Sequence, residues 1–282
     1  MDLKRTLVAI TDNSCDAVAT ETALKIAYPF GGTVRALYAA GESPTAAQFR
    51  YPTIGTHVFN QIEGALSNSQ ILNESNARSS FETHAQKCWN EIAGSTSGSP
   101  PIEWTAIASE MPDAMVRQGG IYDLLVIGQT CRANADMVEA ALFRSGRPVL
   151  FSPETASGTI GQNIMIGWNR SPEAGKSVVN AIPLLQKAAK VTICSITTMV
   201  RPGPSPEECA DYLEDHEINA EIITVKPGRK DVATLLLEQV ESLEADLIVT
   251  GANFHIRPRQ TILSSVTSSL LENSKTALLM SH

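Results

Sequence analysis

Two stretches decide the fold: DLLVIG at 123–128 and DLIVTG at 246–251. Each is an acidic residue, four mostly apolar residues and a glycine. A short apolar run of this kind suits a strand buried on both faces of a parallel sheet. Working outward from each, the same order of elements recurs. TLVAIT (6–11) and NIMIGW (163–168) read as opening strands, each followed by a polar corner and a helix. TVRALYAA (33–40) answers VTICSI (191–196), IEWTAIAS (102–109) answers AEIITV (220–225), and PVLFSP (148–153) answers TALLMS (276–281). Asp12-x-Ser14 is matched to Asn169-x-Ser171. Ser145-Gly146-Arg147 is matched to Asn273-Ser274-Lys275 before the closing strands.

Between these strands lie helical patterns. Ala19, Ala23, Ile26 and Ala27 recur at helical spacing, as do Ala174, Val178, Ala181, Ile182 and Leu185. Ser171-Pro172-Glu173 is a strong helix start, with Ser as cap and Pro in the first turn. Asp231 is placed to cap a helix carrying Val232, Leu235, Leu236, Val240 and Leu243. Helices are also expected at 206–216, 265–272 and 134–143, with a short one opened by Pro112. A polar helical stretch at 56–93 makes the first half longer. Strands alternating with helices imply parallel sheets covered on both faces. The expected architecture is therefore α/β: two tandem, doubly wound domains of five parallel strands. They would span 1–155 and 162–282, around the small, polar linker ETASGTIGQ at 154–162.

Composition narrows the function. The chain has 282 residues, 22 Lys+Arg against 30 Asp+Glu, and a formal charge of −8. An acidic chain repels phosphate backbones, which argues against general nucleic-acid binding. Apolar runs fall short of a membrane span. The N-terminal MDLKRTLVAITD is too short for a signal-peptide core and reads as a strand. The five cysteines are scattered without a CxxC pair, arguing against a disulfide framework or zinc site and for a reducing, cytoplasmic setting. The five His show no metal-binding spacing, and neither a GxSxG elbow nor a GxxxxGK[ST] loop is present.

In a doubly wound sheet the ligand sits beyond the carboxyl ends of the strands, where strand order reverses. With strands one and four adjacent there, the residues just after them line the pocket. These are Asp12 and Gly128 in the first half, and Asn169 and Gly251 in the second. Asn169 either contacts a ligand or tethers its own turn. Ser264, Ser265 and Thr267 are hydroxyls beside a helix start, serving as anion donors, as caps, or as both. His255 and Arg257 add positive charge, either as a clamp or as an exposed loop pair. Trp168 and Phe254 either shape a pocket or pack.

The segments VAITDNS, MIGWNRSPEAG and DLIVTGANFHIRPRQTILSSVTSSLLENSKTALLMSH resemble the universal stress protein family in its tandem two-domain form. The resemblance implies an adenine-nucleotide alpha-hydrolase-like fold and pairing of the last strands, here between the halves as a pseudo-dimer. A further homodimer of chains is also compatible with it. ATP-binding members carry G-x-x-G, nine residues, then G and Ser/Thr after strand four. Gly251 matches the first glycine, Phe254 and Ser264 stand in place of the other two, and Ser265, Val266 and Thr267 follow. The nucleoside-contacting Asp is replaced by Asn169. The first half keeps Asp12 and Gly128 without the later glycines, and is read as a degenerate site. The resemblance implies a non-enzymatic stress-response module that senses a ligand or binds a partner, with a small anion or ATP, ADP or AMP as ligand. The alternatives are weak ATP hydrolysis at the second-half site, and carriage of a small apolar or acidic metabolite.

Overall fold

The computed structural model describes residues 3–41, 56–94, 98–128, 134–155, 158–197, 202–257 and 260–282, with the side chains of 56–68 and 254–262 left undescribed. The first half contains strands β1 (Arg5–Ile10), β2 (Thr33–Ala39), β3 (Ile102–Ile107), β4 (Leu124–Ile127) and β5 (Val149–Phe151). Its helices are α1 (Asp16–Ala27), α2 (Thr56–Ile92), α3 (Met111–Gly119) and α4 (Ala135–Glu139), the last continuing as a π-helical turn over Ala140–Arg144. The second half contains β6 (Asn163–Gly167), β7 (Lys190–Ile196), β8 (Ala220–Val225), β9 (Leu247–Gly251) and β12 (Ala277–Ser281). Its helices are α5 (Pro172–Leu185), α6 (Pro206–Glu214), α7 (Val232–Ser242) and α8 (Ser265–Asn273). A two-stranded antiparallel hairpin, β10 (Phe254–Arg257) and β11 (Gln260–Leu263), stands apart.

Strand order is β3-β2-β1-β4-β5-β12-β9-β6-β7-β8, one sheet of ten strands. Within each half every pairing is parallel, and β1 lies beside β4 as β6 lies beside β9. The halves join through β5 and β12, which run antiparallel with Leu150 opposite Leu279. This pairing leaves neither apolar strand as an open edge, which would otherwise be a template for association.

Alternation along the strands sorts the core into two layers. Val8, Val126, Leu150, Ile166, Val249 and Leu279 face α1, α2, α5 and α6. Leu7, Leu125, Phe151, Met165, Ile248 and Met280 face α3, α4, α7 and α8. Both layers run across both halves. The opening residue of each DLxVxG stretch is a clasp. Asp123 accepts from the backbone N–H groups of Lys4 and Arg5. Asp246 accepts from those of Gly161, Gln162 and Asn163. Each carboxylate fixes the start of its neighbouring strand, and with it the register that brings the two strand ends level at the switch point.

Candidate functional site

At the second-half switch point, the carboxyl ends of β6, β7 and β9 open into a cleft of about 150 Å³. Asn169, Gly251, Ser264, Val266 and Thr267 line it together, with Trp168, Arg170, Cys194, Ser195, Ile196, Thr197, Val232 and Leu236 among the other lining residues. The starts of α7 and α8 border it, through Val232 and through Ser264, Val266 and Thr267, and bring the positive ends of their dipoles near. Its lining contains no Asp or Glu, and Arg170 is its one cationic side chain among the described residues.

Each polar residue has a local task. The Asn169 carboxamide oxygen accepts from the Ser171 N–H at 3.0 Å, which shapes the turn after β6. Ser171 then caps α5, its hydroxyl accepting from the Ala174 N–H at 3.1 Å. Ser264 caps α8 by accepting from the Thr267 N–H at 3.2 Å, and the two hydroxyls lie 2.9 Å apart. Thr267 is buried and its hydroxyl accepts from the Asn253 N–H at 3.3 Å. Ser265, exposed as the first residue of α8, does not line the cleft. The N–H groups of Ser265 and Val266 belong to the first helical turn, which has no intrahelical acceptors for them. The Trp168 ring is buried and its N–H donates to the Pro204 carbonyl at 3.1 Å, so it both walls the cleft and ties down the loop before α6. Burial pushes the Cys194 thiol up to about 11, which keeps it protonated.

Gly251 has a packing duty. A Cβ there would stand 2.5 Å from the Ala174 nitrogen and 2.8 Å from the Glu173 Cβ. The glycine lets the start of α5 sit directly on the end of β9. Phe254 and the residues after it, read from sequence as a degraded form of the family's loop, form a hairpin: Phe254 pairs with Leu263 and His255 with Ile262. The side chains of Phe254, His255 and Arg257 lie outside the described residues, as does Cys131.

The matching of the halves is corrected by one residue. β1 sits against β4 with Thr6 opposite Leu124, and β6 sits against β9 with Ile164 opposite Leu247. Thr6 therefore corresponds to Ile164, and Asp12 to Arg170 rather than to Asn169. The backbone agrees: Asp12 has φ 57° and Arg170 φ 65°, both left-handed. The contact with the strand-four glycine agrees too, since Gly128 abuts Cys15 where Gly251 abuts Glu173 and Ala174. The same slip affects the turns before the last strands. Ser145 accepts from the Arg147 N–H and Ser274 from the Thr276 N–H, so Ser145 answers Ser274 rather than Asn273.

Asp12 and Gly128 do not share a cleft. Asp12 lines a separate cleft of about 320 Å³ between α1 and α2, with Ser14, Asp16, Phe81 and His84, and Gly128 is not part of its lining. Asp16 accepts from the Thr11 N–H and the Asn13 N–H, and burial raises its pKa above the usual carboxylate value. In α4, Asn134 caps where Ser264 caps α8, and the buried Met137 stands where Thr267 does.

Arg170, Ser195, Thr197, Val232 and Leu236 escaped the sequence reading. Their signal was positional, since Arg170 and Thr197 follow strands, Ser195 ends one, and Val232 and Leu236 lie in the first turns of a helix on the same edge of the sheet as Asn169.

No protein-family model and no curated protein matches the sequence, so structural likeness carries the comparison. A universal stress protein from Archaeoglobus fulgidus DSM 4304 superposes with a TM-score of 0.71 at 12% identity, covering 100% of this chain and 99% of that one. The fold is that of the universal stress proteins. A functionally unknown protein from Pseudomonas aeruginosa PAO1 matches 99% of this chain and 92% of its own length, with TM-score 0.56 and 14% identity. A third, from Pseudomonas aeruginosa UCBPP-PA14 and provisionally assigned to the universal stress proteins, gives 0.54 at 15% identity over 99% of this chain and 93% of that one. The full-length likeness extends the universal stress fold over both halves of this chain. Among the described residues no helix is long and apolar enough to cross a membrane, and no three His, Cys, Asp or Glu side chains cluster as a metal site would need.

Proposed function

We propose that this chain is a universal stress-type protein whose second half senses a small anionic ligand without chemically transforming it. The observation that carries the reading is the switch-point cleft beyond β6 and β9, bordered by the starts of α7 and α8, containing Arg170 and, among the described residues, lined by no carboxylate. Anions are stabilised in such a field. Binding is favoured over turnover because the described lining offers no general base. It has no Asp, Glu or His, and its buried thiol stays protonated. A protein of this kind reports ligand occupancy through its surface, and Asn169, Ser265 and Thr197 are exposed around the mouth.

The test is native mass spectrometry with ATP, ADP, AMP and inorganic phosphate, alongside a phosphate-release assay. At most one anion per chain is expected, lost in Arg170→Asn, with no ATP turnover above background. ATP hydrolysis abolished by Asn169→Ala and Ser265→Ala would replace this reading with the enzymatic one.

A further inference from the structure

The walls of the cleft specify the ligand more closely, given that the cleft is an anion site as proposed above. Trp168, Ile196, Val232, Leu236 and Val266 give it an apolar interior. At about 150 Å³ it is about half the lower bound of the ~300–1,000 Å³ typical of drug-sized ligands, so it holds a single ring or a short branched chain.

Arg170 supplies the polar end. It is half-buried and lines the cleft, and among the described residues it makes no hydrogen bond or ion pair. The exposed Glu207 has its pKa lowered first by its own backbone N–H and by Ser205, with Arg170 contributing only a field from beyond ion-pair distance. The Arg170 backbone is held in place by a close approach. Gly203, at φ 131°, brings its Cα against the Arg170 carbonyl, where any Cβ would stand 2.3 Å away. The guanidinium is thus a fork on an anchored backbone with, among the described residues, no carboxylate in it. A planar carboxylate matches that fork with two parallel hydrogen bonds.

Phosphate recognition lacks the corresponding parts. The Ser264 and Thr267 hydroxyls are engaged with each other and with Asn253, and the backbone before them is paired as a hairpin, which leaves the first-turn N–H groups of Ser265 and Val266 as the donors at that end. We infer that the second-half cleft binds a small organic monocarboxylate with a compact apolar body, carboxylate on Arg170 and body against Trp168, Ile196 and Val266.

The experiment is ligand-observed NMR and calorimetry on the full chain with benzoate, its neutral analogue benzamide, AMP and inorganic phosphate. Two variants accompany the wild type. Arg170→Asn keeps a residue tolerant of the left-handed backbone, and Val266→Phe fills the cleft while leaving Arg170 in place. Benzoate is expected to bind saturably, about tenfold or more tighter than benzamide, as a charge-assisted pair requires. Arg170→Asn should lower benzoate affinity about tenfold and leave benzamide unchanged. Val266→Phe should abolish binding of both. Equal affinity for benzoate and benzamide, or unaltered benzoate binding in either variant, overturns the inference. If AMP or phosphate binds in an Arg170-dependent way and benzoate does not, the carboxylate inference is wrong and the anion-site reading stands. If none of the four binds, both fall.

Discussion

The two halves turn the same corner with opposite charge. Asp12 and Arg170 occupy equivalent left-handed positions after their opening strands, one an anion and the other a cation. Around Asp12 the cleft is walled by a second carboxylate, Asp16, and by His84 of the long α2. Around Arg170 it contains no carboxylate among the described residues and is bordered by the starts of α7 and α8. The deeper layer differs in the same sense: Met137 fills with hydrocarbon the position where Thr267 keeps a hydroxyl. Two matching backbones thus carry one corner with a cation and one with paired carboxylates, with the change concentrated in a few side chains.

The largest expected difference between the halves lies at the strand-four glycines. Gly251→Ala forces a Cβ to 2.5 Å from backbone, and overpacking of this kind costs about 1–3 kcal/mol. Gly128→Ala meets only the Cys15 Cβ at 3.3 Å, and a small adjustment accommodates it. Denaturant unfolding of the two variants should separate them clearly. Equal losses would mean that α1 and α5 sit on the sheet in the same way, against the contacts described here.

Next is the hydroxyl. Thr267→Val leaves the Asn253 N–H without its acceptor, at a cost of about 1–3 kcal/mol, whereas Met137→Leu conserves volume and should cost less than about 1.5 kcal/mol. A Thr267→Val protein as stable as wild type would remove the claim that this hydroxyl pins the base of the hairpin.

The smallest effect is a pH dependence in the first half. Burial raises the folded-state pKa of Asp16 above its ordinary 3.8, more than its hydrogen bonds lower it. Its contribution to stability is then full below the unfolded value and is lost as pH rises through the raised folded value. Asp16→Asn removes the ionisation and keeps one oxygen acceptor. The stability difference between variant and wild type should therefore move in favour of the variant as pH rises from about 3 to about 7. Chemical denaturation at intervals across that range measures it, and a trend in the opposite sense contradicts the burial argument.

The succession of strands along the chain was legible because buried strands carry a dense, local signal. DLLVIG and DLIVTG could hardly be anything else, and the helix starts at Ser171 and Asp231 were written in cap residues. What escaped the sequence lay where local pattern and tertiary register part company. Matching Asp12-x-Ser14 to Asn169-x-Ser171 aligned similar letters, but strand pairing is set by the clasps at Asp123 and Asp246, and these place Arg170 opposite Asp12. The hairpin at 254–263 was hidden by its brevity. Two four-residue strands flanking Pro258-Arg259 give too little alternation to stand out, and the resemblance placed a loop there. Of the residues lining the cleft, Asn169 and Gly251 were named from position, Ser264, Val266 and Thr267 from the resemblance and the helix start, and Trp168 as a wall or a packing residue. The walls from β7 and α7 were not, since only the folded sheet brings them to the same edge.

The most direct test is amide-resolved NMR of the full chain titrated with benzoate and, separately, with inorganic phosphate. The account predicts that the anion that binds perturbs amides at 167–170, 195–197 and 266–267, and leaves those of 12–16 and 80–84 unmoved. Perturbations centred on the Asp12 corner, or shared equally by the two corners, would contradict it.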